Sequence, residues 1–174
     1  MDLYHYIGKG NHALQDGILS FAKNPNAQLG YYYRRTGGET THAGIVKWME
    51  KSFPGRSRSI RALIEPLQWT ERSRHGIKEL VIDACDLFKI DVSALDKDGL
   101  LEAVYVSPSI LGKENEYPDD EPLYKLSGID EIDFTPNDYS ILDDEKGRRF
   151  AFLRYYLLVI KGGIIPPQYI KQVK

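Results

Sequence analysis

Residues 143–163 read DDEKGRRFAFLRYYLLVIKGG, and the reading of this stretch decides the fold. Its centre, Tyr155-Tyr156-Leu157-Leu158-Val159-Ile160, is the longest apolar run of the chain, far short of the ~20 residues that span a bilayer. Phe150, Leu153, Leu157 and Ile160 recur at helical spacing. Asp143 or Asp144 stands where an N-cap belongs, and Gly162-Gly163 stands where a helix closes. The stretch is therefore expected to be a helix ending at about Lys161.

The same pattern reading extends outward. Leu14, Ile18, Phe21 and Ala22 predict a helix after an Asn11 cap, stopped by Asn24-Pro25-Asn26. Thr40 or Thr41 caps a second helix bearing Ile45, Val46, Met49 and Phe53. Residues His75 to Phe88 place Ile77, Leu80, Val81, Ala84, Leu87 and Phe88 on one helical face. Short strands are expected at Leu3–Ile7, at Tyr31–Arg35, at Ser59–Leu67 and at Leu101–Ser107. Residues 92–107 read either as a short helix started by Ser93 or as a hairpin about Lys97-Asp98-Gly99. Residues 112–140 are acidic and hold three prolines, which marks a loop excursion. The expected class is α+β, one domain over residues 1–174, with about four longer helices and a small mixed or antiparallel sheet.

Composition narrows the function classes. The chain is 42% hydrophobic and 28% charged, ordinary for a globular protein long enough to need no staple. A formal net charge of −2 argues against a global footprint for nucleic acid or membrane, but leaves room for a local basic patch. One cysteine, Cys85, excludes an intramolecular disulfide and a cysteine-rich metal site. It is expected to be a small core residue. His12, His42 and His75 are scattered near helix starts, and no metal site is expected. The N-terminus lacks a basic segment before an apolar core, so the expected location is the cytoplasm where the chain is made. Delivery by a specialised secretion system would leave no mark of this kind.

The sharpest signal is at the N-terminus. Leu3, His5 and Ile7 alternate with Tyr4 and Tyr6, so His5 sits within a short strand. There it either fills the strand, hydrogen-bonded to backbone, or holds a ligand. The run Leu3-Tyr4-His5-Tyr6, its glycine turn and a following helix ending in Ile18-Leu19 resemble the start of small bacterial ADP-ribosyltransferase-fold toxins of the histidine-tyrosine-glutamate type. The resemblance covers about the first 20 residues. It implies NAD as the cosubstrate, with His5 on a ribose. It also implies that one of Tyr31, Tyr32 and Tyr33 packs on nicotinamide, and that Glu102 is the catalytic carboxylate. Breaking the nicotinamide–ribose bond needs a clamp, an aromatic wall and a carboxylate near the developing positive charge.

Basic density is local. The run GRSRSIR holds Arg56, Arg58 and Arg61, and Arg72 and Arg74 follow. Guanidinium forks match phosphate oxygens, so Arg58 or Arg61 is a candidate for the pyrophosphate. Gly37-Gly38-Glu39-Thr40-Thr41 before a helix could cradle an anion or be a plain capped loop. Two rival readings stand beside the transferase. One is a non-enzymatic immunity, anti-defence or adaptor protein using Tyr117 or Tyr124 and the acidic run Glu114 to Glu121. The other is a nucleotide- or RNA-binding protein using the Arg56–Arg74 cluster.

Overall fold

The computed structural model describes residues 1–67, 84–107, 110–111, 123–136, 141–143, 149–152 and 154–173. In chain order they form β1 (Asp2–Gly8), α1 (Ala13–Asp16), β2 (Ile18–Leu19), α2 (His42–Glu50), β3 (Ser59–Ala62), β4 (Cys85–Asp91) and α3 (Val92–Lys97). There follow β5 (Leu101–Ser107), β6 (Ile110–Leu111), β7 (Tyr124–Lys125), β8 (Ile141–Asp143), β9 (Arg149–Phe152), β10 (Tyr155–Ile160), β11 (Ile164–Ile165) and β12 (Ile170–Gln172). Sheet dominates, which corrects the expectation of about four longer helices. Among the described residues only α2 exceeds seven residues.

The decisive stretch is strand, not helix. Its described residues lie in β8, β9 and β10, apart from the connecting Arg154 and the closing residues 161–163. β10 lies between β3 and β5 in an antiparallel sheet ordered β3-β10-β5-β7. Tyr156, Leu158 and Ile160 face a large core with Ile60, Ala62, Phe88 and Val104. Tyr155, Leu157 and Val159 face a second cluster with Phe53 and Leu63. A strand covered on both faces shows a continuous apolar run, and periodicity cannot tell that run from a buried helix.

The other misread helices fail because of partners distant in the chain. Cys85–Phe88, expected to end a helix, belong to β4, which pairs with β1 from Asp2↔Asp91 to Gly8↔Cys85. Residues 75–83 of that expected helix lie outside the described residues. The helix expected over Leu14–Ala22 stops at Gly17, which adopts φ 84°. A Cβ at Gly17 would lie 2.2 Å from the Ile165 carbonyl oxygen, because β2 pairs there with β11. The strand expected at Tyr31–Arg35 is instead a single helical turn over Gly30–Tyr32 followed by turns.

Several expectations hold. β1 and β5 form where alternation placed them, and β3 starts at Ser59. Thr41 caps α2, its hydroxyl accepting the Gly44 N–H at 3.0 Å. Residues 92–97 form the short helix rather than a hairpin, capped by Asp91 and not Ser93. Within the expected 112–140 excursion, Ile132 is buried, and the Asp133 N–H donates to the Tyr156 hydroxyl at 3.0 Å. The acidic run Glu114 to Glu121 lies outside the described residues, as do Arg72 and Arg74. Among the described residues no helix is long and apolar enough to cross a membrane.

A second antiparallel sheet, ordered β1-β4-β12, meets the first at one point. Tyr4 and Leu63 exchange two backbone hydrogen bonds, at 2.7 and 2.8 Å. β1 is therefore the seam between the sheets, and His5 sits next to that seam.

Candidate functional site

Alternation along β1 sends Leu3 and Ile7 into the large core and Tyr4 and Tyr6 into the second cluster. His5 lies between them, half-buried, with Nδ1 2.6 Å from the Arg61 carbonyl oxygen. A carbonyl only accepts, so Nδ1 carries the proton and Nε2 of the neutral ring is left as an acceptor. Burial pushes the His5 pKa down to about 4, opposed by the bond to the Arg61 carbonyl and reinforced by the Arg61 charge. The imidazole is neutral at neutral pH. Its backbone bond is what a strand-filling histidine makes, and the same bond fixes the tautomer that a ligand hydroxyl would meet.

Arg61 turns the other way along β3. It pairs with Leu157, so Tyr155 is its diagonal neighbour on the same face. The guanidinium lies 4.0 Å over the Tyr155 ring. Arg56, just before β3, lies 5.7 Å over the Trp48 ring of α2 and donates to the Ser52 hydroxyl. Tyr32 stands among these arginines, edge-on to Trp48 at 6.2 Å and to Phe21 at 5.0 Å. Burial raises its phenol pKa, while the charges of Arg61, Arg35 and Arg56 pull it down. Phe21 in turn stacks on His42 at 4.8 Å, and His42 Nε2–H donates to the Phe21 carbonyl at 2.8 Å.

Arg58 and Glu102 form a separate pair. The turn before β3 places Arg58 there. Gly55 takes φ 90°, and a Cβ on it would come within 2.6 Å of Val159. Glu50 holds this turn by accepting from the Gly55 N–H at 2.6 Å and the Ser57 hydroxyl at 2.7 Å. Arg58 Nη1 then donates to Glu102 at 2.5 Å and to the Ile160 carbonyl at 3.2 Å. Glu102 lies exposed on β5 at the bulge, where the register passes from Ala103 opposite Val159 to Leu101 opposite Ile160.

The expected site residues thus fall into two groups. The His5 ring meets the Arg61 carbonyl at the seam while the Arg61 guanidinium turns to the other face over Tyr155, and Arg58, just before β3, reaches past the end of β10 to Glu102. Along the order β1, β3, β10, β5, His5 and Glu102 are three strand spacings, or about 14 Å, apart, whereas Arg58 and Arg61 stand three residues apart at β3. Tyr31 lies in the turn over Gly30–Tyr32, and Tyr33 is 52% exposed beside Gly38. Tyr124, expected on a binding face, is exposed on the short strand β7. Cys85 is a half-buried strand residue rather than a helical core residue. Burial, then the neighbouring Asp86, raises its thiol pKa, which suits no nucleophile. Of the two readings of Gly37–Thr41, anion cradle or plain capped loop, the structure shows a capped loop in which the chain's own Glu39 takes up the N–H groups. Its carboxylate accepts from the Thr40 and Thr41 N–H groups, both at 2.9 Å. Among the described residues no group of three or more His, Cys, Asp or Glu is placed to hold a metal ion.

Pattern reading missed Glu50 and Trp48, and named Tyr32 only as one of three tyrosines for nicotinamide, not as a neighbour of Trp48. The signal for Glu50 was its position at the end of α2, a few residues before the Pro54-Gly55 turn whose donors it satisfies. Trp48 and Tyr32 meet only in the tertiary structure. Compared with family models, with curated proteins and with solved structures, the chain matches none.

Proposed function

We propose that the chain is an NAD-dependent ADP-ribosyltransferase-like protein of the toxin or effector kind. What supports the reading is His5: a neutral ring on the first strand, anchored through Nδ1 with Nε2 left as an acceptor. Such a nitrogen accepts from a ribose hydroxyl without carrying a charge that would repel the positive nicotinamide ring. Arg61, beside it and laid flat on Tyr155, offers N–H groups to the pyrophosphate. Glu102, held by Arg58, is the carboxylate for the far end of the extended dinucleotide.

In the transfer, the bond from ribose C1′ to the nicotinamide nitrogen breaks. Nicotinamide leaves neutral with the bonding pair. The acceptor nucleophile bonds to C1′ and gives its proton to solvent or to Glu102. The carboxylate stabilises the ribosyl cation that develops between the two events. The Arg58–Glu102 pair orients that carboxylate, and it opens as the cation forms.

A thermal-shift titration with NAD, run beside His5→Ala, tests this reading. Binding to the native state stabilises it by about 2.7 kcal/mol at a hundredfold excess over Kd. A wild-type shift that vanishes in the variant supports the reading. No shift at millimolar NAD removes it.

A further inference from the structure

Three single helical turns pack against one another: Phe21–Lys23, Arg56–Arg58 and Lys161–Gly163. Gly163 stands where they meet. A Cβ on it would lie 2.7 Å from the Ser20 hydroxyl oxygen, 3.0 Å from Lys23 Cγ and 3.4 Å from Arg58 Cγ. Side chains from distant parts of the chain therefore converge on one bare Cα. The Ser20 N–H donates to the Gly163 carbonyl at 2.9 Å, which ties the first turn to the third.

The Ser20 hydroxyl stands out at this junction. Ser20 is 1% exposed, and its hydroxyl has no hydrogen-bond partner among the described residues. Buried hydroxyls are normally satisfied, so one without a protein partner points to a water or a ligand that completes it. Its surroundings are basic. Lys23 and Lys161 are exposed, and among the described residues neither is paired with a carboxylate. Arg58 donates from Nη1 to Glu102 and to the Ile160 carbonyl. Arg56 turns away to Trp48 and Ser52 and takes no part.

The hydroxyl calls for an acceptor, and the two unpaired ammonium groups call for negative charge. A water meets the first requirement only. A phosphate monoester, largely dianionic at neutral pH, meets both. We infer that the junction of Ser20, Lys23, Arg58 and Lys161 at Gly163 binds a phosphoryl group. One phosphoryl oxygen accepts from the Ser20 hydroxyl, and the cations balance the charge. The stems of Lys23 and Arg58 lie beside the hydroxyl and screen it. Lys23, exposed and unpaired on a flexible stem, swings aside to admit the anion and closes its ammonium on it. The inference does not rest on the transferase reading, although both use Arg58.

The test is a thermal-shift titration of the whole chain with inorganic phosphate, phosphoserine and adenosine monophosphate, ionic strength being held constant with sodium chloride and NAD left out. Phosphate should raise Tm along a saturating curve in the millimolar range, and sodium chloride alone should not. Ser20→Ala removes a hydroxyl that has no described partner, so it should fold at least as stably as wild type. It should bind phosphate about tenfold more weakly. Lys23→Gln, on an exposed residue, should weaken binding at least about threefold. Glu102→Gln frees Arg58 from its carboxylate and should tighten binding by about the same factor, a gain that a purely structural junction would not show. Tighter binding of phosphoserine or of adenosine monophosphate than of inorganic phosphate supports the inference and tells which source carries the group. His5→Ala, at the seam, should bind phosphate like wild type. Phosphate binding with no response to NAD would remove the transferase reading and leave this site standing. No saturable shift with any of the three probes overturns the inference. Wild-type phosphate affinity in Ser20→Ala overturns it too, by leaving the hydroxyl to an ordinary buried water, and so does loss of phosphate binding in His5→Ala.

Discussion

Replacing His5 by Asn tests the seam between the two sheets through its pH dependence. The Asn amide places an N–H donor near the position of Nδ1, so the bond to the Arg61 carbonyl has a substitute, while the titrating group is gone. In the folded chain the His5 pKa lies at about 4 against an ordinary 6.5. Between these values the unfolded chain binds more protons than the folded chain, so stability rises with pH across the window. The contribution is complete above pH 6.5 and is lost as the pH falls towards 4. At ~1.4 kcal/mol per pKa unit the full difference is about 3.5 kcal/mol. The ring keeps part of its surface in solvent, so the expected loss is about 1–2 kcal/mol. Urea denaturation followed by tryptophan fluorescence, at a series of pH values from about 7 to 4, measures it for both proteins. The wild type should lose stability relative to His5→Asn through this range. A difference between the two that stays flat would refute the argument, because His5 would then titrate alike in the folded and unfolded chains.

Three further outcomes are expected. Tyr156→Phe removes the hydroxyl that accepts from the Asp133 N–H and donates to its carbonyl. It should cost about 1–2 kcal/mol in denaturant unfolding and speed amide exchange at Asp133. Glu102→Gln breaks a partly exposed ion pair, so its unfolding free energy should change by less than about 1 kcal/mol. Lost NAD turnover in that folded variant would then be chemical in origin, and a large thermal destabilisation would contradict the placement of Glu102. Leu158→Ala empties a fully buried position between β3 and β5 and should cost about 3–5 kcal/mol by the same unfolding assay.

Local chemistry made some elements legible in the sequence. Alternation in Leu3–Ile7 and in Leu101–Ser107 gave strands, because side-chain direction in a strand is a property of neighbouring residues. Thr41 was legible as a cap because its hydroxyl satisfies a donor only three residues away. The half-buried, backbone-bonded state of His5 also followed from the strand pattern, as did the basic density at Arg56–Arg61.

The rest required partners distant in the chain. Tyr155–Ile160 satisfies a helical stripe and a doubly covered strand equally well, and only β3 on one side and β5 on the other make it a strand. Gly17 stops α1 because a carbonyl from Ile165, far along the chain, occupies the space a side chain would need. The pairing of Arg58 with Glu102 spans 44 residues, and the Arg61–Tyr155 stack spans the sheet. The sequence by itself determined where the charge, the aromatic rings and the local strand and cap signals lie. Tertiary structure alone decided which of them meet, because a strand's hydrogen bonds close on other strands whereas a helix closes on itself.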